Sequence, residues 1–249
     1  MNLRFLLLSL GVLISACQNK PHRATQLSYA YIAVKPPQVQ SAIQDSLWPY
    51  KQQIDRVMKD TLGKIEVPMP KERGKPETLL GNFVADLLLT YGKNFIPELD
   101  FSLLNIGGLR NSLPSGYVTT GDIFQLMPFD NKVVVLELSP EQMADFISYM
   151  ATEFSMPVAG IALVISGDRV SQVSINHLPW DLSRSYRVIT SDYLAEGGDK
   201  MHFLTGAKRV LEPNTLLREI IIEHIKMQTQ NGKPIQSFLD GRIRFAAPE

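Results

Sequence analysis

The sequence predicts an α+β fold of more than one layer. Short apolar runs with strand character are interspersed with segments whose apolar residues recur every three to four positions. The two kinds of segment do not alternate strictly, as a doubly wound parallel sheet would require. The composition is globular, with 45% of the 249 residues hydrophobic and 20% charged. Formal charge sums to zero and no basic stripe stands out, which argues against a nucleic-acid binder.

The first residues are expected to direct the chain rather than fold. Arg4 precedes an apolar run, Phe5 to Ile14, that is too short to span a bilayer as a mature helix. Ile14-Ser-Ala-Cys17 resembles a bacterial lipobox, whose cysteine is acylated. Cys17 is the single cysteine of the chain, so no internal disulfide is open to it. The expected organisation is a lipoprotein signal peptide over 1–16, a lipidated Cys17 with a polar tether over 17–26, and one domain over 27–249. An acyl anchor holds a protein to a membrane without spanning it. The expected location is the bacterial cell envelope, on the periplasmic side of a membrane or at the cell surface. An ordinary signal peptide with an incidental cysteine is the alternative.

Leu27 to Val34 alternates around two tyrosines and reads as a strand ended by Pro36-Pro37. Ser41 to Asp60 has helical spacing at Ile43, Leu47, Tyr50, Ile54, Val57 and Met58, with Pro49 as a local weakness. Ile65 to Val67 reads as a short strand, followed by a Pro- and Gly-punctuated loop carrying Lys71, Arg73 and Lys75. Thr78 to Thr90 reads as a strong helix, with Leu79, Leu80, Phe83, Val84, Leu87 and Leu88 on one face. Asn82 and Asp86 lie a helical turn apart on another face. Asp86 either pairs with a cation or faces water.

Phe101 to Leu104 is apolar, short and bounded by Asp100 and glycines, which suits a buried strand. Thr119 or Thr120 is placed to cap a helix through Leu126. Pro128 to Asn131 reads as a turn and Lys132 to Leu138 as a strand. Ser139-Pro-Glu-Gln142 opens a helix with a capping box and Pro at its first position, running to about Ala151. Ala159–Ile165 and Val170–Ile175 flank a hairpin signal. Tyr186 to Ser191 reads as a strand leading through Tyr193 to Gly197-Gly198. Asn214 to Gln230 is expected to be helical, with Leu216, Leu217, Ile220, Ile221, His224 and Ile225 inward. Ile243 to Phe245 closes as a strand.

Several chemistries lack their residues. The four histidines, His22, His177, His202 and His224, stand far apart, and none belongs to a metal-binding motif. There is no phosphate-binding Walker loop and no GxSxG elbow. Two Gly-Gly turns carry the positive signal. At the first, Asn105, Gly107, Gly108 and Arg110 follow a strand end, and the glycines admit positive φ and a close backbone approach. At the second, Asp199 follows Gly198. Phe129 and Tyr193 stand near these turns and can hold a flat ring between their faces. Base–aromatic stacking contributes ~1–3 kcal/mol per base. An aspartate accepts from vicinal ribose hydroxyls, an Asn amide reads a base edge, and an arginine forks onto phosphate. Together these parts describe a nucleotide pocket.

At these residues, Leu27 to Phe245 resembles the C-terminal domain of the 5'-nucleotidase / UDP-sugar hydrolase family. The motifs are Asn105-Ile-Gly-Gly-Leu-Arg110, Pro128-Phe-Asp-Asn131, and Tyr193 with Gly197-Gly198-Asp199. The helix beginning Glu77-Thr-Leu-Leu-Gly-Asn-Phe-Val-Ala-Asp86 resembles the family's first signature. Each motif is weak alone, but their shared order is specific. The resemblance implies a multilayer α/β/β/α domain with mixed sheets. It also implies that Phe129 and Tyr193 sandwich a base, Asn131 reads its edge and Asp199 holds the ribose hydroxyls. Asn105 and Arg110 would face ribose and phosphate, and Gly160 would line the same pocket. Arg73 stands near a family arginine, out of step by about a residue. Ile106 replaces a third glycine common in the family, and Tyr193 a frequent Phe.

In that family, catalysis belongs to an N-terminal metallophosphatase domain with two divalent metal ions, and no such sequence precedes Leu27 here. The expectation is a lipid-anchored module that binds nucleotide or nucleoside, holds no cofactor or catalytic residue of its own, and serves a separate metallophosphatase subunit in nucleotide catabolism. A self-sufficient nucleotidase and a ligand-free surface scaffold are the alternatives.

Overall fold

A computed structural model describes residues 31–32 and 42–247. The chain divides into two units, Met1–Ser46 and Leu47–Glu249, and the second carries the fold. Of the expected first strand only Tyr31 and Ile32 are described, and neither is in a strand. Cys17 and the tether lie outside the described residues. Helix α1 (Ala42–Met58) keeps Pro49 inside it. From Leu47 on, its apolar stripe of Leu47, Tyr50, Ile54 and Val57 is exposed. Among the described residues no helix is long and apolar enough to cross a membrane.

After α1 come β1 (Thr61–Ile65), α2 (Leu79–Lys93), β2 (Phe101–Leu103), β3 (Gly116–Thr119), α3 (Thr120–Leu126), β4 (Val133–Leu138) and α4 (Pro140–Thr152). Then follow β5 (Val158–Ala159), β6 (Ile161–Ser166), β7 (Arg169–Ile175), β8 (Leu178–Pro179), β9 (Tyr186–Ser191), the one-turn α5 (Asp192–Ala195), β10 (Lys208–Leu211), α6 (Leu217–Gln230) and β11 (Ile243–Phe245). Thr119 and Ser139 cap where the sequence implies, while Thr78, read as the first helical residue, is the cap of α2. The Thr78 hydroxyl accepts from the Gly81 amide at 3.0 Å, and Thr119 and Ser139 each close a capping box.

Three sheets result: β1–β3, the five-stranded β10–β4–β9–β2–β5, and the four-stranded β11–β6–β7–β8. The five-stranded sheet is mixed, with β2 parallel to β9 and β4 antiparallel to it. Both of its faces are covered, which is why β4 reads as the unbroken Val133-Val-Val-Leu136 rather than as an apolar–polar alternation. Val133 and Val135 point into one core, with Leu80, Val84 and Leu88 of α2 and Ile221 and Ile225 of α6. Val134, Leu136 and Leu138 point into the other, with Phe146 and Met150 of α4 and Ile161, Leu163 and Ile165 of β6. The domain is thus α+β and multilayered, with mixed sheets.

Pairing of β4 with β9 runs from Val133↔Ser191 to Leu138↔Tyr186. Asn131 and Tyr193 therefore leave the sheet side by side, each two residues beyond the last pair. β2 runs parallel to β9, with Ser102 opposite Ile189, so the chain leaves β2 at that same edge on its way to Asn105. Three segments distant in sequence converge there.

Candidate functional site

At this edge a cleft of about 290 Å³ opens, lined by Asn105, Gly107, Gly108, Arg110, Phe129, Asn131, Tyr193 and Asp199. Those are eight of the residues singled out in the sequence. Phe129 and Tyr193 leave 42% and 43% of their surface uncovered, so ring area is available within the cleft.

Each wall has an identifiable support. The Arg110 amide donates to the Leu126 carbonyl at 2.7 Å, tying the glycine loop to the end of α3. The following turn is clamped by Arg218 of α6, which is buried. Its Nη1 donates to the Met127 and Phe129 carbonyls, both at 3.2 Å, and its Nη2 pairs with Asp130 at 2.6 Å. Its guanidinium also lies 4.2 Å from the Phe124 ring centroid. Arg218 thereby fixes Phe129, although it stands outside the cleft. Sequence reasoning missed it, but a signal was present: position 218 falls on the inward stripe three and seven residues before Ile221 and Ile225, where a cation is out of place.

Glycine's role differs between the two turns. Gly107 and Gly108 do not adopt positive φ, contrary to the expectation for that turn, and their value is space. A Cβ on Gly108 would stand 2.9 Å from Asn105 Oδ1. At the second turn Gly197 does take φ 88°. Gly198 is not a lining residue; it lies beneath Tyr193, where a Cβ would meet ring carbons at 2.5 Å. Tyr193 itself is on α5 rather than at the strand end, because Ser191 caps that short helix through the Leu194 amide at 3.3 Å.

Asp199 is the most constrained group. It sits at φ 50°, ψ 35°, and Lys200 follows at φ 66°. Left-handed backbone at a residue other than glycine costs about 1–3 kcal/mol and persists where neighbours over-determine it. Asn105 Nδ2 donates to Asp199 Oδ2 at 2.7 Å, and the Tyr193 hydroxyl to Oδ1 at 2.9 Å. That bond to Asp199, with burial, raises the Tyr193 phenol above its ordinary pKa. Tyr149 of α4 donates its hydroxyl to the Asp199 carbonyl at 2.9 Å. Burial, followed by the charges of Glu153 and Asp199, pushes its phenol up to about 12.

Cations gather at the other end. The Arg110 guanidinium lies 5.7 Å from the Phe129 ring centroid and makes one long 3.5 Å bond to the Gly107 carbonyl. Burial, then the charges of Arg73 and Arg110, lowers the pKa of Lys71. Arg73 lines an adjoining cleft of about 500 Å³ that shares Gly107 and Asp199 with the first. Gly160 is elsewhere: it lines a separate cleft with Asp86, Asp240 and Arg242. Its φ of 81° and its closeness to the Asp100 carbonyl, 2.4 Å from where a Cβ would be, are requirements of packing against β2.

The sequence pattern of the 5'-nucleotidase C-terminal domain matches residues 61–206. The chain belongs to this family. It is 28% identical over 198 residues to a 5'-nucleotidase of Vibrio vulnificus, covering 75% of this chain and 34% of that protein. It is 27% identical over 214 residues to a trifunctional nucleotide phosphoesterase of Bacillus subtilis, covering 78% of this chain and 14% of that protein. In fold it is similar to a 5'-nucleotidase precursor from Thermus thermophilus, with TM-score 0.70 and 24% identity over 83% of this chain and 43% of that one. The chain thus spans about a third of the Vibrio enzyme and less of the Bacillus protein. Metallophosphatase chemistry needs clustered ligands for two metal ions. Among the described residues no group of three or more His, Cys, Asp or Glu is placed to hold a metal, so the residues described do not fit such a centre.

Proposed function

We propose that this chain binds nucleotides or nucleosides and supplies the substrate pocket of a 5'-nucleotidase system to a separately encoded metallophosphatase, while held at the cell envelope by acylated Cys17. The observation that carries the reading is that two partly uncovered rings, Phe129 and Tyr193, border one cleft whose other walls are Asn131, Asn105, Asp199 and Arg110. In this reading the base lies between the rings, Asn131 reads its edge, Asp199 accepts from the ribose hydroxyls, and Arg110 meets the phosphate with Arg73 and Lys71 behind it. No bond-breaking step is assigned to the residues described. Membership of the family supports nucleotide as the ligand class, and the names of the relatives agree with it.

Calorimetry on the full chain with adenosine, AMP and UDP-glucose tests the pocket. Binding of at least one is expected, and Tyr193→Ala should weaken it by about 1–3 kcal/mol; no binding of any of the three would sink the reading. Assay with AMP and Mn²⁺, Mg²⁺ or Zn²⁺ tests the division of labour. Turnover is expected once a metallophosphatase lacking its own C-terminal half is added, and robust turnover by the chain alone would overturn that part. A labelled fatty acid should be incorporated into the wild type and not into Cys17→Ala.

A further inference from the structure

Asp199 has to do something awkward: it presents its carboxylate to the cleft from a left-handed backbone, and Lys200 continues in the same hand. Side-chain bonds from Asn105 and Tyr193 steer the carboxylate, and the Tyr193 hydroxyl also accepts from the Asp199 amide at 3.3 Å, but neither residue reaches the Asp199 carbonyl. The described hydrogen bond to its carbonyl oxygen comes from across the adjoining cleft, from the Tyr149 hydroxyl. Tyr149 is well placed to be a fixed point. It stands on α4, whose capping box at Ser139 and inward Met143, Phe146 and Met150 root it in the core. Its ring packs on Phe203 with centroids 5.7 Å apart, and Gln142 Nε2 holds the Phe203 carbonyl at 3.0 Å. The carbonyl accepts from it only while the phenol keeps its proton, as a phenol does across the physiological range, and burial pushes its pKa further up.

We infer that Tyr149 is a positioning residue for ribose recognition: it locks the Asp199 peptide so that the carboxylate meets the sugar hydroxyls and not another part of the ligand. The inference rests on the proposed nucleoside reading of the cleft and adds a residue on a different element, in a different cleft, that does not touch the ligand itself. A hydroxyl on Tyr149 then affects ligands in proportion to what Asp199 accepts from them.

Tyr149→Phe removes one oxygen and keeps the ring on Phe203. Calorimetry with adenosine and with 2',3'-dideoxyadenosine reads the effect. Adenosine should bind about three- to ten-fold more weakly to the variant, the loss expected for one hydrogen bond, while dideoxyadenosine stays within about two-fold. Equal weakening of both nucleosides, or of neither, would overturn the inference, because a merely structural role moves both together. Phe203→Leu loosens the packing but leaves the hydroxyl, and the ratio of the two affinities should be unchanged in it; a shifted ratio there would also count against Tyr149. Should the wild type bind both nucleosides equally, the ribose role of Asp199 falls first, and that result is distinguishable from the others.

Discussion

Arg110 and Arg242 each stand in a cleft with an aspartate and a glycine, and they use their guanidinium groups in opposite ways. Arg242 commits all five of its N–H groups within the fold. Nε and Nη2 reach Asp240 at 2.9 and 2.8 Å, Nη1 and Nη2 reach Asp86 at 2.7 and 3.1 Å, and Nη1 also reaches the Val158 carbonyl at 2.9 Å. Only 11% of its side chain is exposed. The Asp240 and Gly241 amides are held in turn by Glu77, at 2.7 and 2.9 Å. Arg110 is exposed and has one long bond. The lesson concerns recognition: a cleft lined by charged groups is a binding site where those groups are not already consumed by each other. By that measure Arg110 is free to meet a ligand, whereas the Arg242 cleft is a clamp joining α2 to the last strand.

Mutations can break this contrast, beginning with the largest effect. Arg242→Gln should lower unfolding free energy by about 2–3 kcal/mol in urea titration, the upper part of the range for a hydrogen bond to a charged group, because Asp86 and Asp240 are half exposed, with adenosine affinity unchanged; reduced nucleoside affinity with intact stability would reverse the assignment. Arg110→Gln should weaken AMP by about 1.5–3 kcal/mol, the value of a hydrogen bond to a charged group, and leave adenosine and the melting temperature as they were. Equal loss for AMP and adenosine would mean that Arg110 acts through Phe129 and not on phosphate. Gly108→Ala should weaken nucleoside binding by about 1 kcal/mol, the worth of one hydrogen bond, since the new methyl pushes Asn105 away from Asp199.

The smallest effect concerns His224 of α6, which is half-buried. His224 packs edge-on against Phe83 at 5.8 Å, and burial lowers its pKa below the ordinary histidine value. Its folded pKa is below its unfolded one, so the unfolded state binds the proton first as pH drops. The stability His224 helps provide is full above about pH 6.5 and declines below it. Thermal melts of His224→Gln between pH 7.5 and 5.5 should therefore shift less with pH than those of the wild type. An identical or steeper slope would place the pH sensitivity elsewhere.

Much of this arrangement is readable in the sequence, and the reasons it is or is not are physical. β9 and β11 fall at the expected residues because apolar runs bounded by breakers leave few alternatives. The α2 face and the caps at Thr119 and Ser139 follow from local spacing. β10 was missed because Lys208-Arg-Val-Leu211 is a partly exposed edge strand with weak alternation, and β8 because it is two residues long. Asp86 proved to be paired, with Arg242, a contact spanning 156 positions that no local pattern reveals. The cleft was readable because its residues are polar or aromatic beside glycine pairs. Arg218 and Tyr149 were not, since each acts through a backbone carbonyl brought near by tertiary packing. Gly160 shows the converse: a motif glycine in the right order whose position in space serves the scaffold.

The six-rung pairing of β4 with β9 works as a ruler whose end marks are Asn131 and Tyr193. Spacing between these two marks follows from the ladder up to Ser191 and from the capped single turn of α5 that carries Tyr193. In the nucleoside reading proposed above, identity changes at those two marks would alter which heterocycle is accepted while leaving the gauge untouched. A single inserted residue in either strand would instead shift the register that brings the two marks together. Diversification of ligand preference on this scaffold should therefore proceed by substitution just beyond the strand ends and hardly ever by changes in strand length.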